Sequence, residues 1–516
     1  MSAEYPLQLE LSPPPSVAEA LQAFAPVPGV ILFESRRVRP GVGRYTFLTA
    51  DPCRQHEVAR AVYGSDPFAE PRRWLRELAP DELLSTDSLS SPTPNAPHRP
   101  TEAAQGITAS LSADAGRLPL PFQGGLAGYL GYELGTCWEQ IPRAKQDEFQ
   151  LPDAWIGLYD WTLAWDAETN RCWLISQGWP ETDPGSRLQR ARARVEWVLA
   201  RLQQDGHRDR LPISLCGVKS KSNSSPLPSL HVDELIGQPV PGDHPLRSDF
   251  QPDEYRAAVS RAIEYIRAGD IFQVNLSQRL LAPWERDPVE LYLRLRDRNP
   301  APFAGYLACD DWAVVSASPE RFLQMSAGGE VETRPIKGTR RRGLFPEADL
   351  FTGDELRESA KDQAENVMIV DLLRNDLSRV CRPGTIRVPQ LCAVETYETV
   401  QHLVSEVRGQ LRPGQTVWDL LAACFPGGSI TGAPKIRAMQ IIAELEPTVR
   451  GPYCGSLFYL SATGDCDSSI LIRTFVVRRG WAQCSVGGGI VVGSDPELEY
   501  QETWHKAEGM LRALRD

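Results

Sequence analysis

Apolar residues recur at helical spacing in two parts of the chain, and directly after the second part they alternate with polar residues. Residues 190–204 place their apolar side chains on one face, which predicts an amphipathic helix. A second helix is predicted from Asp253 to about Gly269, and residues 271–278 then alternate as a strand. The pattern therefore mixes both kinds of element in the second half of the chain.

Glycine and aromatic residues concentrate in residues 124–132 and 154–165, a composition typical of closely packed strands. Strands and helices follow one another irregularly, and we find no repeating βαβ unit. The pattern thus predicts an α+β architecture rather than a doubly wound parallel sheet.

Two stretches lack apolar periodicity and are rich in serine, proline and other small or polar residues. Residues 82–120 are interpreted as a disordered insertion, and residues 218–248 as a linker. This predicts an N-terminal region at 1–217 and a C-terminal region at 249–516, which holds the best candidates for chemistry.

Composition narrows the classes of function. The 516-residue chain carries a formal charge of -12, which argues against nucleic-acid or membrane-surface partners, although small anionic substrates are still allowed. No run approaches the roughly 20 apolar residues that a membrane span needs, so we expect a cytoplasmic protein. The 11 cysteines are scattered singly, which predicts core thiols rather than zinc ligands or disulfides.

Lys337 is the most informative residue and lies in the segment RPIKGTR, residues 334–340. A lysine between a proline and a Gly-Thr turn is poorly explained by packing, which makes it a candidate nucleophile. Taken alone, the segment fits a solvated loop lysine better. Nucleophilic use near neutral pH also requires that burial or nearby cations lower the lysine pKa from its ordinary value of about 10.4.

Three further segments accompany it: DLLRND at 371–376, FPGGSITGAPK at 425–435 and GGGIVVGS at 487–494. Together with RPIKGTR they closely resemble the motifs of the chorismate-binding enzymes. Lysine at position 337 resembles the aminodeoxychorismate synthase branch, whereas anthranilate synthases are expected to carry alanine there. The resemblance implies two large stacked antiparallel β-sheets with helices outside and an active site in the cleft between them.

Two pairs of carboxylates are candidate metal ligands. Asp362 and Glu365 lie three residues apart in a predicted helix, and Glu499 and Glu502 repeat that spacing, so each pair shares one helix face. Either pair alone also fits a solvated helix face. The resemblance implies that the four bind Mg²⁺, which prefers hard oxygen ligands. Asp362 departs from the glutamate expected in anthranilate synthases.

The resemblance also implies a set of chorismate-binding residues. Arg473, in an apolar segment predicted as a strand, would bind the enolpyruvyl carboxylate with Tyr453; the alternative is an internal ion pair. Thr431 would touch substrate or merely cap the helix predicted at Lys435. The full set is Gln273, Gly338, Thr339, Thr431, Tyr453, Arg473, Gly487, Gly488, Gly489 and Lys506.

Backbone N–H groups of the Gly487–Gly489 run would hold a carboxylate, and the alternative is a tight strand bend. Gln273 stands where relatives that use water as nucleophile carry a lysine. Its identity therefore argues against water as the nucleophile here.

Three residues are assigned catalytic roles by the resemblance. Lys337 would attack C2 of chorismate, while Glu320 protonates the departing C4 hydroxyl and Mg²⁺ holds the ring carboxylate. Ammonia would then add at C4 and expel the lysine, giving 4-amino-4-deoxychorismate, a precursor of 4-aminobenzoate and folate. His402 would orient substrate or handle protons. An exposed Glu320 paired with Arg321 is the alternative for that acid.

No cysteine lies in the Gly-x-Cys-x-Gly elbow of a glutaminase, so the resemblance implies a separate glutaminase subunit that supplies ammonia. It also allows a tryptophan pocket around Ser35 and Pro302, although an ordinary core strand fits those residues too. The rival functions are anthranilate synthase component I and a non-catalytic subunit that binds chorismate or tryptophan.

Overall fold

The computed structural model describes residues 6–36, 43–78, 108–111, 120–203, 212–216, 228–240, 243–342, 345–396 and 400–515. Their strands, in chain order, are β1 (Leu7–Ser12), β2 (Val30–Glu34), β3 (Tyr45–Thr49), β4 (Arg54–Val58), β5 (Thr108–Leu111), β6 (Gly125–Leu130), β7 (Ala154–Tyr159), β8 (Trp161–Asp166), β9 (Arg171–Ser176), β10 (Gln238–Val240), β11 (Asp243–Ser248), β12 (Gln273–Pro283), β13 (Phe303–Cys309), β14 (Trp312–Ser318), β15 (Arg321–Met325), β16 (Glu330–Thr333), β17 (Ile336–Arg341), β18 (Arg387–Thr396), β19 (Val400–Gln410), β20 (Gly432–Ala433), β21 (Ser456–Ser461), β22 (Cys466–Ile470), β23 (Thr474–Arg478) and β24 (Trp481–Ile490).

The helices begin mostly at proline or at a capped polar residue, as the first turn of a helix favours. They are α1 (Val17–Phe24), α2 (Ala69–Leu78), α3 (Pro184–Leu202), α4 (Pro252–Ala268), α5 (Pro288–Arg298), α6 (Pro346–Glu358), α7 (Ala360–Ser378), α8 (Val417–Cys424), α9 (Lys435–Leu445) and α10 (Pro496–Leu514).

The strands form two large sheets, which confirms the predicted α+β class with two antiparallel sheets flanked by helices. A 14-stranded sheet has the order β10-β11-β12-β24-β23-β14-β13-β2-β3-β8-β9-β1-β5, with β20 also paired to β12. A 10-stranded sheet has the order β17-β19-β16-β15-β22-β21-β6-β7-β4, with β18 also paired to β19. Neighbouring strands pair antiparallel, as β12 does with β24 and β17 with β19.

Apolar side chains from facing strands fill the space between the sheets. The ring of Tyr459 on β21 lies 5.6 Å from that of Phe47 on β3 and 5.3 Å from that of Phe33 on β2. Phe122 packs against the same tyrosine at 5.0 Å. The contacts of Tyr459 with Phe47 and Phe33 are edge-to-face and hold the sheets together, and the same buried cluster includes Leu457.

The chain crosses between the sheets through short connections. Residues 319–320 link β14 of the larger sheet to β15 of the smaller one, and residues 471–473 link β22 back to β23. The predicted apolar strand around Arg473 is therefore wrong, because Leu471, Ile472 and Arg473 lie in a connection between two strands. These crossings place Glu320 and Arg473 where the two sheets meet.

Strands from both ends of the sequence share each sheet, since β1–β9 precede residue 217 and β12–β24 follow residue 249. The boundaries 1–217, 218–248 and 249–516 stay a prediction. Of the proposed insertion 82–120, residues 108–111 form β5 against β1 and the rest lies outside the described residues, apart from Leu120. Within the proposed linker, β10 and β11 form a hairpin that pairs with β12.

Several local predictions are confirmed. The helix expected at 190–204 begins earlier, at Pro184, because Asp183 caps its first turn. The helix expected after Asp253 ends at Ala268, where Gly269 adopts the left-handed conformation that closes many helices. Among the helices of the described ranges, none is long and apolar enough to cross a membrane. The cytoplasmic location stays a prediction.

Candidate active site

Lys337 lies on β17, opposite Leu403 of β19, and Thr339 lies opposite His402. The register shifts between Lys337 and Thr339, and Gly338 has a φ of 75°. The predicted Gly-Thr turn is therefore a β-bulge within a strand, a feature that re-aims neighbouring side chains. A Cβ on Gly338 would lie 3.0 Å from Cγ of Asp362 and 2.9 Å from Cδ1 of Leu356, so glycine lets α7 approach the strand closely.

Lys337 is half-buried and lies among charges from three other elements. Desolvation lowers the pKa of its amine, and Lys506 of α10 lowers it further, whereas Glu365 of α7 and Glu320 raise it. The net direction is downward. A solvated loop lysine is therefore the wrong interpretation of this residue, and burial shifts its pKa in the direction that a nucleophile requires.

Glu320 is 4% exposed, and burial raises its pKa to about 7. A hydrogen bond from Ser429, the charge of Lys337 and the Ile336 amide all work in the opposite direction. The alternative pairing with Arg321 is not found, since Arg321 binds Asp467 at 3.0 Å and Glu332 at 2.9 Å. A carboxyl group with this pKa can donate a proton near neutral pH.

The four predicted acids come from two helix N-terminal turns. Ser359 caps α7, whose first two turns carry Asp362 and Glu365. Asp495 caps α10, which carries Glu499 and Glu502. Burial raises the pKa of Glu365 and of Glu499. The charge of Glu499 raises the pKa of Glu365 further, whereas Lys361 of α7 lowers the pKa of Glu499, so the two helix ends interact electrostatically.

Cations accompany these acids in the structure. Arg340 binds Asp362 at 3.0 Å, Lys361 lies 3.6 Å from Glu499, and Lys506 binds Glu502 at 2.7 Å. The Lys506 contact lowers the pKa of Glu502. Across the described ranges, no three of the four carboxylates bring oxygen atoms within 4.8 Å of one another.

The donor set nevertheless fits Mg²⁺. Glu365 Oε1 is buried and has no hydrogen-bond partner among the described residues. A Cβ on Gly488 would lie 3.1 Å from Oε2 of Glu499 and 3.6 Å from Oε1 of Glu502, so the strand leaves room beside both carboxylates. Such oxygen ligands, completed by water and a substrate carboxylate, are what Mg²⁺ prefers.

Arg473 offers a positive charge without a protein counter-charge. It is half-buried, has a φ of 52°, and burial lowers its pKa while the Tyr453 hydroxyl is the ionisable group that opposes this shift. In the part of the chain that the structure describes, its guanidinium has no carboxylate partner, so the predicted alternative of an internal ion pair is not found. A partly desolvated guanidinium in this state favours an anionic ligand.

The glycine run belongs to β24 rather than to a bend. Asn275 and Ser277 of β12 lie opposite Gly489 and Gly487, yet the N–H of Asn275 donates to Thr431 O and that of Ser277 to Glu446. Both pairs are thus the non-hydrogen-bonded kind, in which backbone groups point away from the partner strand.

Strand β23 pairs with β24 only up to Cys484, so the edge of β24 beyond that residue has no strand neighbour among the described ones. On this edge the Gly487 carbonyl accepts a hydrogen bond from Lys506 Nζ at 2.8 Å. The N–H groups of Gly487 and Gly489 face the same way and are placed to receive a carboxylate.

Gln273 is fully buried at the start of β12, and neither atom of its amide has a hydrogen-bond partner in the described part of the chain. Its Nε2 would lie 2.4 Å from a Cβ on Gly489. Because unpaired buried amides are costly, this side chain is a further candidate for ligand contact.

The side chains of Thr431 and His402 both form hydrogen bonds with other groups of the protein. The Thr431 hydroxyl donates to the carbonyl of Gly427 at 3.0 Å, and the residue before α9 is Pro434, so the helix-cap alternative is wrong. His402 is buried, and its Nδ1 lies 2.8 Å from Oγ1 of Thr339.

Two residues were missed by sequence reasoning although both lie inside quoted motifs. Ser429 binds Glu320, and Lys435 joins two motifs by binding Asp376 at 2.6 Å. The proposed tryptophan pocket is not tested: the Arg36 N–H donates to Ala301 O at 3.2 Å, which brings Ser35 and Pro302 close, but residues 37–42 lie outside the described ones.

Comparisons with known proteins identify the family of this chain. The profile of the chorismate binding enzyme family matches residues 69–512, so the chain belongs to that family. Aminodeoxychorismate synthase component 1 of Klebsiella aerogenes is 40% identical over 77% of this chain and 78% of its own length. Anthranilate synthase component 1 of Thermus thermophilus is 42% identical over 76% of this chain and 78% of its own.

Solved structures give the same fold. The crystal structure of anthranilate synthase component I from Streptococcus pneumoniae superimposes with a TM-score of 0.67 at 27% identity, over 92% of this chain and 93% of that one. The menaquinone-specific isochorismate synthase of Escherichia coli has a TM-score of 0.66 at 18% identity over 100% and 97%, a likeness of fold alone. The chain is thus a chorismate-utilising enzyme of its family, and the relatives named above at 40% identity or more include both an aminodeoxychorismate synthase and an anthranilate synthase component.

Proposed function

We propose that this chain is aminodeoxychorismate synthase component I, which converts chorismate and ammonia to 4-amino-4-deoxychorismate through a covalent bond to Lys337. The observation that carries this proposal is the placement of Lys337 between Glu320 and Glu365, with its pKa lowered by burial. A lysine is present where anthranilate synthases are expected to have alanine. Anthranilate synthase component I is the second candidate, because its relatives match this chain equally well.

Chorismate carries two carboxylates, and each would bind a different group of residues in the site. Arg473, with no protein partner among the described residues, would bind the enolpyruvyl carboxylate beside Tyr453. The N–H groups of Gly487 and Gly489 would receive the ring carboxylate. Mg²⁺ held by Asp362, Glu365, Glu499 and Glu502 would neutralise that carboxylate and make the ring more electrophilic.

The Lys337 amine then attacks C2 of the ring. The two ring double bonds shift towards C4, the C4–O bond breaks, and the protonated Glu320 supplies the proton with which the hydroxyl leaves as water. Ammonia adds at C4 with the reverse shift of the double bonds, the C2–N bond to Lys337 breaks, and the carboxylate of Glu320 takes up a proton from the new ammonium group.

His402 and Thr339 would orient the substrate through their shared hydrogen bond. Ammonia would come from a separate glutaminase subunit, with free ammonium as a poorer substitute, because no cysteine of this chain has the elbow sequence of a glutaminase nucleophile. Binding of tryptophan near Ser35 and Pro302 belongs to the same proposal as an accessory site.

Product identity tests the proposal. The purified chain is incubated with chorismate, Mg²⁺ and ammonium, and the products are identified by mass and retention time for the wild type and for Lys337→Ala. We expect 4-amino-4-deoxychorismate from the wild type and its loss, or replacement by anthranilate, in the variant. Lys145→Ala, at an exposed lysine, is the control that should leave the product unchanged.

A second measurement traps the covalent step. Without ammonium, the intact mass of the wild type should increase by one chorismate less one water, with the added mass mapped to Lys337. Anthranilate from the wild type would contradict the proposed reaction. An unmodified Lys337 together with normal product would leave the reaction standing and remove the covalent lysine from it.

A further inference from the structure

A pair of thiols lies outside the chorismate site, at the end of the N-terminal region. Cys53 Sγ and Cys216 Sγ are 3.3 Å apart, although 163 residues separate them along the chain. Cys53 is buried and Cys216 is half-buried. A disulfide has a sulfur–sulfur distance of about 2.05 Å, so a small approach of the two side chains would bring them to bonding distance.

Two arginines of α3 point at Cys216. Its Sγ lies 2.9 Å from a terminal nitrogen of Arg194 and 3.1 Å from one of Arg190. Guanidinium N–H groups at this distance stabilise negative charge on sulfur, and a thiolate is the reactive form of cysteine. The half-buried thiol is thus the nucleophile of the pair.

Cys53 is more deeply buried, and Arg190 lies farther from its sulfur, at 3.8 Å. Its thiol donates to the carbonyl of Trp179 at 3.3 Å, and burial raises its pKa well above the ordinary value. It would therefore keep its proton until Cys216 has reacted, and then act as the second thiol.

The segment that carries Cys216 is held in place by Asp51. The Asp51 carboxylate accepts the N–H groups of Leu215 and Cys216 at 2.8 and 3.1 Å and the hydroxyl of Ser214, and it also pairs with Arg194 at 2.8 Å. The contact between the sulfur atoms is thus part of a fixed, buried network at the junction of β3 and β4.

A metal ion would be the other use for these groups. Cys53, Cys216 and Asp160 bring one atom each within 4.8 Å of one another. Arg194 already binds Asp160 at 3.1 Å, and Arg190 lies 3.7 Å from the same carboxylate. Two guanidinium groups in this space repel a cation and direct N–H groups at the Cys216 sulfur, so the chemistry that fits is oxidation.

We propose that Cys216 and Cys53 form a peroxide-sensitive dithiol that closes to a disulfide. The Cys216 thiolate attacks one oxygen of hydrogen peroxide, the O–O bond breaks, and the released hydroxide takes a proton to leave as water while Cys216 becomes a sulfenic acid. Cys53 sulfur then attacks Cys216 Sγ, the S–O bond breaks, and the hydroxide leaves with the Cys53 proton as a second water. The two thiols supply the two electrons that reduce the peroxide.

The bond would fix residues 212–216 to the β3–β4 junction without touching the groups around Lys337. It closes a long loop, so it should raise the midpoint of thermal unfolding. The inference does not depend on which chorismate reaction the enzyme performs.

The test treats the full chain with stoichiometric hydrogen peroxide at neutral pH, followed by alkylation and peptide mass mapping. We expect free thiols to fall from 11 to 9, a cross-linked peptide pair that contains Cys53 and Cys216, and full reversal by dithiothreitol. The cross-link should be lost in Cys216→Ser and form several-fold more slowly in Arg190→Gln. Cys392→Ser, which removes the other half-buried thiol, is the matched control and should leave it unchanged.

Two results would overturn the inference. One is oxidation of Cys216 to sulfinic acid while Cys53 stays alkylatable. The other is a metal ion that co-purifies with the wild type and is absent from Cys216→Ser. Thermal unfolding of each variant, measured in the reduced state, shows whether it is folded, and the wild-type peptide map stands on its own if Cys216→Ser fails to fold.

Discussion

At the scale of single residues, burial shifts both Lys337 and Glu320 towards the uncharged forms that the proposed reaction uses. It lowers the pKa of the lysine amine and raises that of the glutamate to about 7. Their mutual attraction opposes both shifts because an ion pair favours the charged forms. Desolvation outweighs that attraction for each residue, which makes the shared burial of this pair the central feature of the site.

Glu320→Gln tests this acid. We expect turnover to fall by about 10²- to 10⁴-fold, since glutamine cannot donate the proton that the leaving hydroxyl requires. In the wild type, activity should decline as the pH rises through about 7, because Glu320 then loses its proton. The residual activity of the variant should lack that decline.

The measurement is a pH profile of kcat for both proteins, with Glu330→Gln, at an exposed acid, as the control. An unchanged high-pH decline in Glu320→Gln would assign that decline to another group.

The residue types of the site follow from the sequence more readily than their partners do. The motif strings single out Lys337, Thr431 and the glycine run, because those residue types are rarely gathered for packing alone. That Arg473 has no carboxylate partner among the described residues could not be foreseen, since this depends on which strands surround it. The contacts of Ser429 and Lys435 were missed for the same reason.

At the scale of elements, the site is built where regular structure is interrupted. Gly338 bulges β17, and residues 471–473 interrupt an apolar run that periodicity alone interprets as one strand. The pattern cannot show such a break, because Leu471 and Ile472 are as apolar as their strand neighbours. Helices were easier to place, since a proline, a cap or a final glycine marks their ends.

Gly489→Ala tests the approach of β24 to the ligand. Its Cβ would lie 2.4 Å from Nε2 of Gln273, so that amide must move into the space proposed for chorismate. We expect chorismate affinity, measured by calorimetry, to fall at least tenfold with little loss of thermal stability.

A companion variant separates the ligand effect from a backbone effect. Gly487→Ala places its Cβ 2.1 Å from the carbonyl of Leu276 and should lower the unfolding temperature instead. Adding Gln273→Ala to Gly489→Ala should remove the contact with the new methyl group but not restore the affinity if the amide itself binds substrate. Unchanged affinity in Gly489→Ala would exclude this strand from the binding site.

At the scale of the whole molecule, the two sheets depend on pairings between distant parts of the chain. β2 pairs with β13 and β6 with β21, so neither sheet can be completed by one half of the sequence. Local periodicity carries no information on such pairings. It therefore predicts the α+β class but not the arrangement of the strands in two sheets. The two-sheet form came from resemblance to the family, and the structure confirms it.

The spacing of the sheets is itself testable at Gly305 of β13. A Cβ there would lie 2.4 Å from Cδ2 of Leu457 on β21 of the other sheet, so Gly305→Ala should cost about 1–3 kcal/mol in the free energy of unfolding. Leu457→Ala alone should cost about 2–5 kcal/mol by opening a cavity. Because the new methyl group fills part of that cavity, the double variant should lose less than the sum, by about 0.5–3 kcal/mol.

Gly305→Ala combined with Leu420→Ala, in a separate apolar cluster, should be additive. The free energy of unfolding is measured by denaturant titration for the wild type, the three single variants and the two double variants. If the Gly305 and Leu457 changes were additive, the two side chains would not be in contact across the sheets, and the spacing of the sheets would be set elsewhere.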